Sequence, residues 1–298
     1  MDGDTGHAVR EDHGDRLTAS YRLLLFDLDG TLLTPERTIR PANRTLLAEL
    51  MSFGVRIGIA TGRGPRSAAP YVETSGASGP LILFNGAMVW DVAEARPVYQ
   101  RGLAMTDALA TISVALAHGV HINVYMDEEI WIPRTTETSR RSEIKDGVPH
   151  TVMTDLVTRV AAHGQPPIKL MLIDEQADVT RLIAPIRARL ASQCTLVDSE
   201  PSYLEVMAEG VSKGSALEAI THIYGIAPAE VMAFGDERND IDLVQRSGLG
   251  VAMANANPAL RAVADIAIGH HSSDAIAEFL RSTYIVQGDR LVARTRPS

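Results

Sequence analysis

Residues 21 to 31 read YRLLLFDLDGT, an apolar run that gives way at Asp27 to two acids spaced one residue apart and then to Gly30. A run this short and this apolar has the composition of a strand covered on both faces, the environment of a parallel sheet. The pattern recurs downstream. VRIGIA (55–60) runs into Thr61-Gly62-Arg63, LILF (81–84) into Asn85-Gly86, and VMAFGD (231–236) into Glu237-Arg238-Asn239-Asp240. Helical stretches lie between: in PANRTLLAELMSFG, Leu46, Leu47, Leu50 and Met51 recur at helical spacing until Gly54 ends the pattern. Strands alternating with helices of this length predict βαβ units, hence an α/β fold built on a Rossmann-like, doubly wound parallel sheet.

The chain has 298 residues, more than one core of roughly 150 residues holds, so a second domain is expected. The βαβ rhythm covers 21–87 and returns over 210–283, with helices at 213–224, 239–246 and 258–264 and strands at 249–253 and 265–268. Between them, VHINVYMDEEIWI, PPIKLMLID and SYLEVMA read as strands with charged interruptions, so residues 88–209 are expected to form an inserted α+β cap domain. Residues 1–20 read as a disordered tail, and 284–298, ending GDRLVARTRPS, as a second loose end.

The formal net charge of −9 disfavours nucleic acid or an anionic membrane surface as partner. The single cysteine, Cys194, excludes an intramolecular disulfide and a CxxC motif, which fits a reducing compartment. The opening MDGDTGHAVREDHGDRLTAS lacks the basic start and apolar core of a secretory signal, and the expected location is the cytoplasm.

In an open parallel sheet, ligands bind beyond the carboxyl ends of the strands. The residues there are Asp27 and Asp29, Thr61 and Gly62, Asn85, and Asp236 with Asn239 and Asp240. In extended backbone, positions i and i+2 project to one side, so Asp27 and Asp29 are expected to share a face. Two carboxylates facing one cleft repel each other and gain from a cation; with Asp236 as a further oxygen donor, the set suits the hard ion Mg²⁺. Taken alone, DLDGT also fits a plain strand-to-helix turn. Lys213 fits a solvated lysine at a helix start, although a cation there opposes the helix dipole and gains from an anionic partner. Asn239 and Asp240 fit an N-cap and first-turn acid as well as a site role.

FDLDGTLL (26–33), ATGR (60–63), FNGA (84–87), LEVMAEGVSKGSAL (204–217), AFGDERND (233–240) and VAMANA (251–256) occur in that order. Together they resemble the motifs of haloacid dehalogenase-like (HAD) hydrolases of the Cof type, and the likeness runs over about residues 21 to 282. The 34 residues from Asp27 to Thr61 leave no room for a large insertion, whereas the 152 from Thr61 to Lys213 hold one, as in that type. The resemblance implies a Mg²⁺-dependent phosphatase acting on a small phosphorylated metabolite. Asp27 would be the nucleophile that forms an aspartyl-phosphate, and Asp29 the general acid and base. Mg²⁺ would lie between Asp27, the main-chain carbonyl of Asp29 and Asp236. Thr61, the Gly62 amide and Lys213 would bind phosphate. Asn239 and Asp240 match the metal-supporting pair, Asn239 on the phosphate side and Asp240 on the metal side. The protein is expected to be a monomer or homodimer.

Two other functions use the same residues: a phosphotransferase or phosphomutase, or a binding module that keeps the pocket without turnover. Lys169, Arg134 and Lys145 fall in the expected cap, where charged residues are mostly solvated, yet they could meet a leaving group. His118 and His121 are three apart without a partner cluster, Cys194 reads as a small buried apolar residue, and Ser67, Ser75 and Ser78 lack a nucleophile-elbow context. The chain departs from the Cof pattern near its end. Where such proteins commonly carry Asn-Asp followed by Asp-Gly-Val-Ala, this one reads HHSSDAIAEFL, with Ser272, Ser273 and Asp274, a change that bears on substrate preference rather than on the reaction.

Overall fold

The computed structural model describes residues 21–126, 128–173, 187–188, 190, 193–200, 202–287 and 290–293. The expected N-terminal tail, 1–20, lies outside them, as does 294–298. The first strand, β1 (Leu23–Phe26), is buried at every residue. Helix α1 (Pro41–Ser52) starts on a proline, whose missing N–H would have had no partner in the first turn, and buries Leu46, Leu47 and Leu50. β2 (Arg56–Ile59) and α2 (Pro65–Ser75) complete the first βαβ unit.

β3 (Leu81–Leu83), β4 (Met88–Asp91) and β5 (Arg96–Gln100) form an antiparallel sheet, joined to the end of β2 by the parallel bridge Ala60–Ile82. This moves the expected domain boundary. The sequence pattern starts the cap at residue 88, but Met88 packs in the cluster of Phe26 and Val89 in that of Leu23 and Leu25. The change from parallel to antiparallel pairing at 88 marks a hairpin added to the core, and the insertion begins after β5.

That insertion holds α3 (Met105–Ala117), β6 (His121–Met126), β7 (Glu129–Ile132), α4 (Glu137–Asp146), β8 (His150–Val152), α5 (Leu156–His163), β9 (Lys169–Ile173), β10 (Cys194–Glu200) and β11 (Tyr203–Ala208). Its sheet runs β10-β11-β9-β6-β7-β8, antiparallel except between β7 and β8. Alternate residues serve opposite faces. Leu170, Leu172, Leu204 and Val206 join Ile112 and Val160 of α3 and α5 in the cap's own core, while Met171, Ile173 and Met207 join the cluster that continues into the α/β domain.

The chain then returns with α6 (Ala216–Tyr224), β12 (Val231–Gly235), α7 (Ile241–Arg246), β13 (Leu249–Ala252), α8 (Pro258–Arg261), β14 (Ile266–Ala267) and α9 (Ala275–Thr283). The core sheet is β14-β13-β12-β1-β2 with every pair parallel, so the fold is α/β with an added cap sheet, as the sequence implied. The chain leaves β1 toward β2 on one side and comes back at β12 on the other. The topological switch point therefore lies between β1 and β12, where Phe26 stacks on Phe234 with ring centroids 4.5 Å apart. No helix among the described residues is long and apolar enough to cross a membrane.

Asp274 stands at the N-cap of α9 without capping it; its carboxylate receives Arg40 Nε at 2.5 Å, and the Ala277 N–H is met instead by Asn43 Oδ1 from α1 at 3.1 Å. Residues 284–298 are not wholly loose, because β15 (Tyr284–Gln287) and β16 (Arg290–Ala293) pair as a hairpin that buries Tyr284 and Leu291 against the core. Leu291→Ala is therefore expected to cost about 2–5 kcal/mol in urea unfolding, whereas a loose tail would give no change.

Candidate active site

Because β1 and β12 are neighbours in register, Asp27 and Asp236 emerge side by side at their carboxyl ends. Close approach is allowed by Gly30, whose φ is +87°; a Cβ there would lie 2.2 Å from Asp236 Oδ2. Thr31 Oγ1 donates to Asp236 Oδ1 at 2.8 Å, and Asn255 Nδ2 donates to the Gly30 carbonyl at 2.8 Å, which fixes the turn after β1. Lys213 is wholly buried in the turn before α6. Its Nζ lies 2.6 Å from both Asp27 Oδ1 and Asp240 Oδ1, so it is no solvated lysine. The other oxygen of Asp240 accepts the N–H groups of Asp236 (3.0 Å) and Glu237 (3.1 Å), and its side chain does not cap α7.

Oxygens of Asp27, Asp236 and Asp240 come within 4.8 Å of one another. Burial pushes the Asp27 carboxyl well above its usual range; Lys213 pulls against this, and the charges of Asp240 and Asp236 add to it. Burial likewise pushes Asp236 up to about 6, with the Thr31 bond opposing. For Lys213 the charges of Asp240 and Asp27 outweigh burial, so its pKa rises and it stays an ammonium. Three acids against one ammonium suit a hard divalent cation. Asp27 Oδ2 takes no hydrogen bond among the described residues, and Asp236 keeps only a long one from Asn255 on Oδ2 (3.4 Å), so these two can ligate a metal. Both oxygens of Asp240 are already engaged, which makes it the anchor of Lys213 and of the loop after β12.

Asp29 departs from the expected geometry. β1 ends at Phe26, Leu28 turns and Asp29 makes only an isolated bridge to Leu33, so the strand does not continue, and the Asp29 carboxylate lies outside the acid cluster. Arg63 grips it instead, Nε and Nη2 each 2.8 Å from one oxygen. Burial alone would raise the Asp29 pKa, but the bonds and charge of Arg63 more than offset it and the acid is held below its usual range. Any metal contact from Asp29 would come from its carbonyl. Motif reading alone gives Arg63 of ATGR no role; its signal in the sequence is a cation at a strand end, two residues beyond Thr61.

Thr61 is buried at the end of β2, its Oγ1 accepting the Arg63 N–H at 3.3 Å. The next helix begins only at Pro65, so Gly62 lies in the loop before it rather than in a helix N-terminus. Asn85 takes a left-handed φ of +54° directly after Phe84 at +50°, backbone that non-glycine residues enter at a cost. Its Oδ1 accepts Asn239 Nδ2 at 3.0 Å, so Asn239 is engaged with Asn85 and not with Lys213 or Asp27.

A cavity of about 500 Å³ spans core and cap, reaching Asp27, Asp29, Thr61 and Gly62 on one side and Tyr125 and Lys169 on the other. Lys145 also lines it, whereas Arg134 does not. Glu205 lines it as well, and its mark in the sequence is a charge that breaks the apolar run of the strand SYLEVMA. His118 is exposed and His121 bonds to Asn123, so the two form no metal pair, and Cys194 lies in the cap core with its thiol pushed up to about 11 by burial. Ser67 receives Arg63 Nη1 at 3.1 Å at the cavity wall; Ser75 and Ser78 lie away from it. The 272–274 segment binds Arg40 of the core, while the neighbouring His271 N–H reaches Asn255, the residue beside Asp236.

Residues 24–280 match the family of haloacid dehalogenase-like hydrolases, and the chain belongs to it, as a Cof-type member. It is 33% identical over 288 residues to the HMP-PP phosphatase of Serratia proteamaculans, covering 91% of this chain and 100% of that protein. It is 28% identical over 272 residues to the pyridoxal phosphate phosphatase YbhA of Escherichia coli, covering 89% and 99%. Among solved structures, a haloacid dehalogenase-like hydrolase of Bacteroides thetaiotaomicron superposes with a TM-score of 0.80 at 23% identity, over 87% of this chain and 98% of that one. A Thermotoga maritima protein does so at 0.79 and 26%, over 87% and 96%.

The charge imbalance has a measurable consequence. Asp236 holds its proton more tightly folded, near 6, than unfolded, near 3.8, so its stabilising contribution is present at low pH and lost as pH rises through about 6. Excess Mg²⁺ is expected to raise the melting temperature of the metal-free protein at about pH 7.5, with the gain shrinking below about pH 6 as protons compete for the ligands. A gain that does not depend on pH would contradict this reading.

Proposed function

We propose that this phosphoric monoester hydrolase acts on small phosphorylated metabolites with Mg²⁺ held by Asp27 and Asp236, through an aspartyl-phosphate on Asp27. The observation that carries the reading is the meeting of Asp27, Asp236 and Lys213 at the switch point, with Lys213 Nζ 2.6 Å from the attacking carboxylate. The bound ion would offset the repulsion between a carboxylate and a phosphate dianion. Lys213 orients Asp27 and supplies fixed positive charge beside the transferring group. One oxygen of Asp27 attacks phosphorus, and the ester oxygen leaves as the alcohol after taking a proton from Asp29. Asp29 then takes a proton from the water that hydrolyses the acyl phosphate. Its ionised pairing with Arg63 suits this second step; for the first, Asp29 must turn from Arg63 and carry a proton. Thr61 and the Gly62 amide, which line the same cavity as Asp27, would donate to the phosphate oxygens, and the cap would shield that cavity from bulk water.

The relatives named as acting on HMP-PP and pyridoxal phosphate make those two compounds the first to assay. The purified protein is expected to release phosphate from p-nitrophenyl phosphate and pyridoxal phosphate only with Mg²⁺. Asp27→Asn should lower kcat at least about 10³-fold, since an amide is no equivalent nucleophile. Metal-independent release, or an Asp27→Asn enzyme as fast as wild type, would refute the proposal. Asp29→Asn should lower kcat/KM about 10²–10⁴-fold on pyridoxal phosphate and clearly less on p-nitrophenyl phosphate, whose phenolate leaves without a proton, while kcat falls on both because the water step is shared.

A further inference from the structure

The cap face that lines the cavity sets apolar residues, Tyr125, Ile130, Val148 and Met171, beside charged ones such as Glu129 and Lys145, and it holds a buried ion pair. Lys169 and Glu205 are 2% and 4% exposed, with Nζ 3.2 Å from Oε2. A buried pair is a poor stabilising device, because desolvating both charges offsets their attraction. Its bonds are unevenly shared. Glu205 Oε2 accepts both Lys169 Nζ and, at 2.9 Å, Asn85 Nδ2 from the core. Lys169 Nζ donates in addition to the Gly62 carbonyl at 3.1 Å and lies 4.5 Å from the centre of the Tyr125 ring. Asn85 is held for this task in its left-handed conformation by Asn239 and by its own N–H on the Thr61 carbonyl at 3.0 Å. Glu205 Oε1, in contrast, accepts no hydrogen bond among the described residues. An oriented carboxylate oxygen with a spare lone pair, in a cavity large enough for a small ligand, is an acceptor waiting for a donor.

We propose that Glu205 is a specificity-determining residue: Oε1 accepts a hydrogen bond from an O–H or N–H group on the leaving alcohol, so the preferred substrates are phosphate esters of alcohols that carry such a donor. Lys169 and Asn85 are its positioning residues. The proposal rests on the phosphatase reading and goes beyond it by naming what the cap recognises.

The test compares two esters of hydroxymethyl arenes, pyridoxine 5′-phosphate, whose ring bears hydroxyl donors, and benzyl phosphate, which has none. The readout is the ratio of their kcat/KM values, which cancels any loss of folded enzyme. In Glu205→Gln the amide oxygen stays with Lys169 and Asn85, and the NH2 group turns a donor toward the substrate's donor. The expected result is a wild-type ratio well above one that falls about tenfold or more in Glu205→Gln. The double variant Glu205→Gln with Lys169→Met, which leaves no unpaired buried charge, should lose the ratio equally. A wild-type ratio near one, or variants that slow both esters alike, would overturn the proposal and reduce Glu205 to a contact between cap and core. If wild type releases phosphate from neither ester nor from p-nitrophenyl phosphate, the phosphatase reading itself falls.

Discussion

A fully buried ammonium survives only if its charge is met, and at Lys213 it is met twice, by Asp27 and Asp240 at 2.6 Å each. These three side chains come from the end of β1, the turn before α6 and the loop after β12, so one set of charge-assisted bonds ties together the segments that make up the catalytic edge. Asp240 is fixed from behind by two main-chain N–H groups, and this rigid anchor lets the softer partner, Asp27, remain available. Loss of the ammonium would leave acids facing acids in a low-dielectric pocket, a larger penalty than losing any one apolar contact nearby.

The same charges say what the site lacks. Three carboxylates against one ammonium leave two negative charges, which one divalent cation cancels. A phosphate dianion approaching the balanced site meets no net repulsion, whereas without the cation it would meet Asp27 and Asp236 together. Asp29 stands outside this balance. Its charge is matched by Arg63, which would keep a proton-transfer group at Asp29 electrically separate from the proposed nucleophile two residues away.

Much of this was legible before any coordinates, and the reason is topological. Buried parallel strands write themselves as apolar runs, and whatever follows such a run must sit on the crevice edge, so Asp27, Thr61, Asn85 and Asp236 could be placed from spacing alone. What escaped depends on pairings across long stretches of chain. Arg63 closing on Asp29, Asn43 capping α9, and the hairpin after Thr283 leave little local mark. The boundary at 88 misled because an antiparallel hairpin on the core looks, in one dimension, like the start of an antiparallel domain. The i, i+2 rule failed at Asp29 because it holds only while the strand continues, and β1 stops at Phe26.

Strand alternation explains how selection can be separated from stability in the cap. On β9 and β11 the odd and even positions face different partners: Leu170, Leu172, Leu204 and Val206 fill the cap's interior, while Lys169, Met171 and Glu205 face the cavity. Exchanging a cavity residue therefore leaves the interior packing intact, provided the buried charges change as a pair. The described polar bridges from these strands to the core end on the Gly62 carbonyl and the Asn85 amide, neither of which belongs to the acid cluster of Asp27, Asp236 and Asp240. A cap face attached in this way can be rebuilt for a different alcohol while the proposed chemistry at Asp27, Asp236 and Lys213 would stay as it is. The fold's division of labour thus follows from the two-residue period of a strand and from the few points at which the two sheets touch.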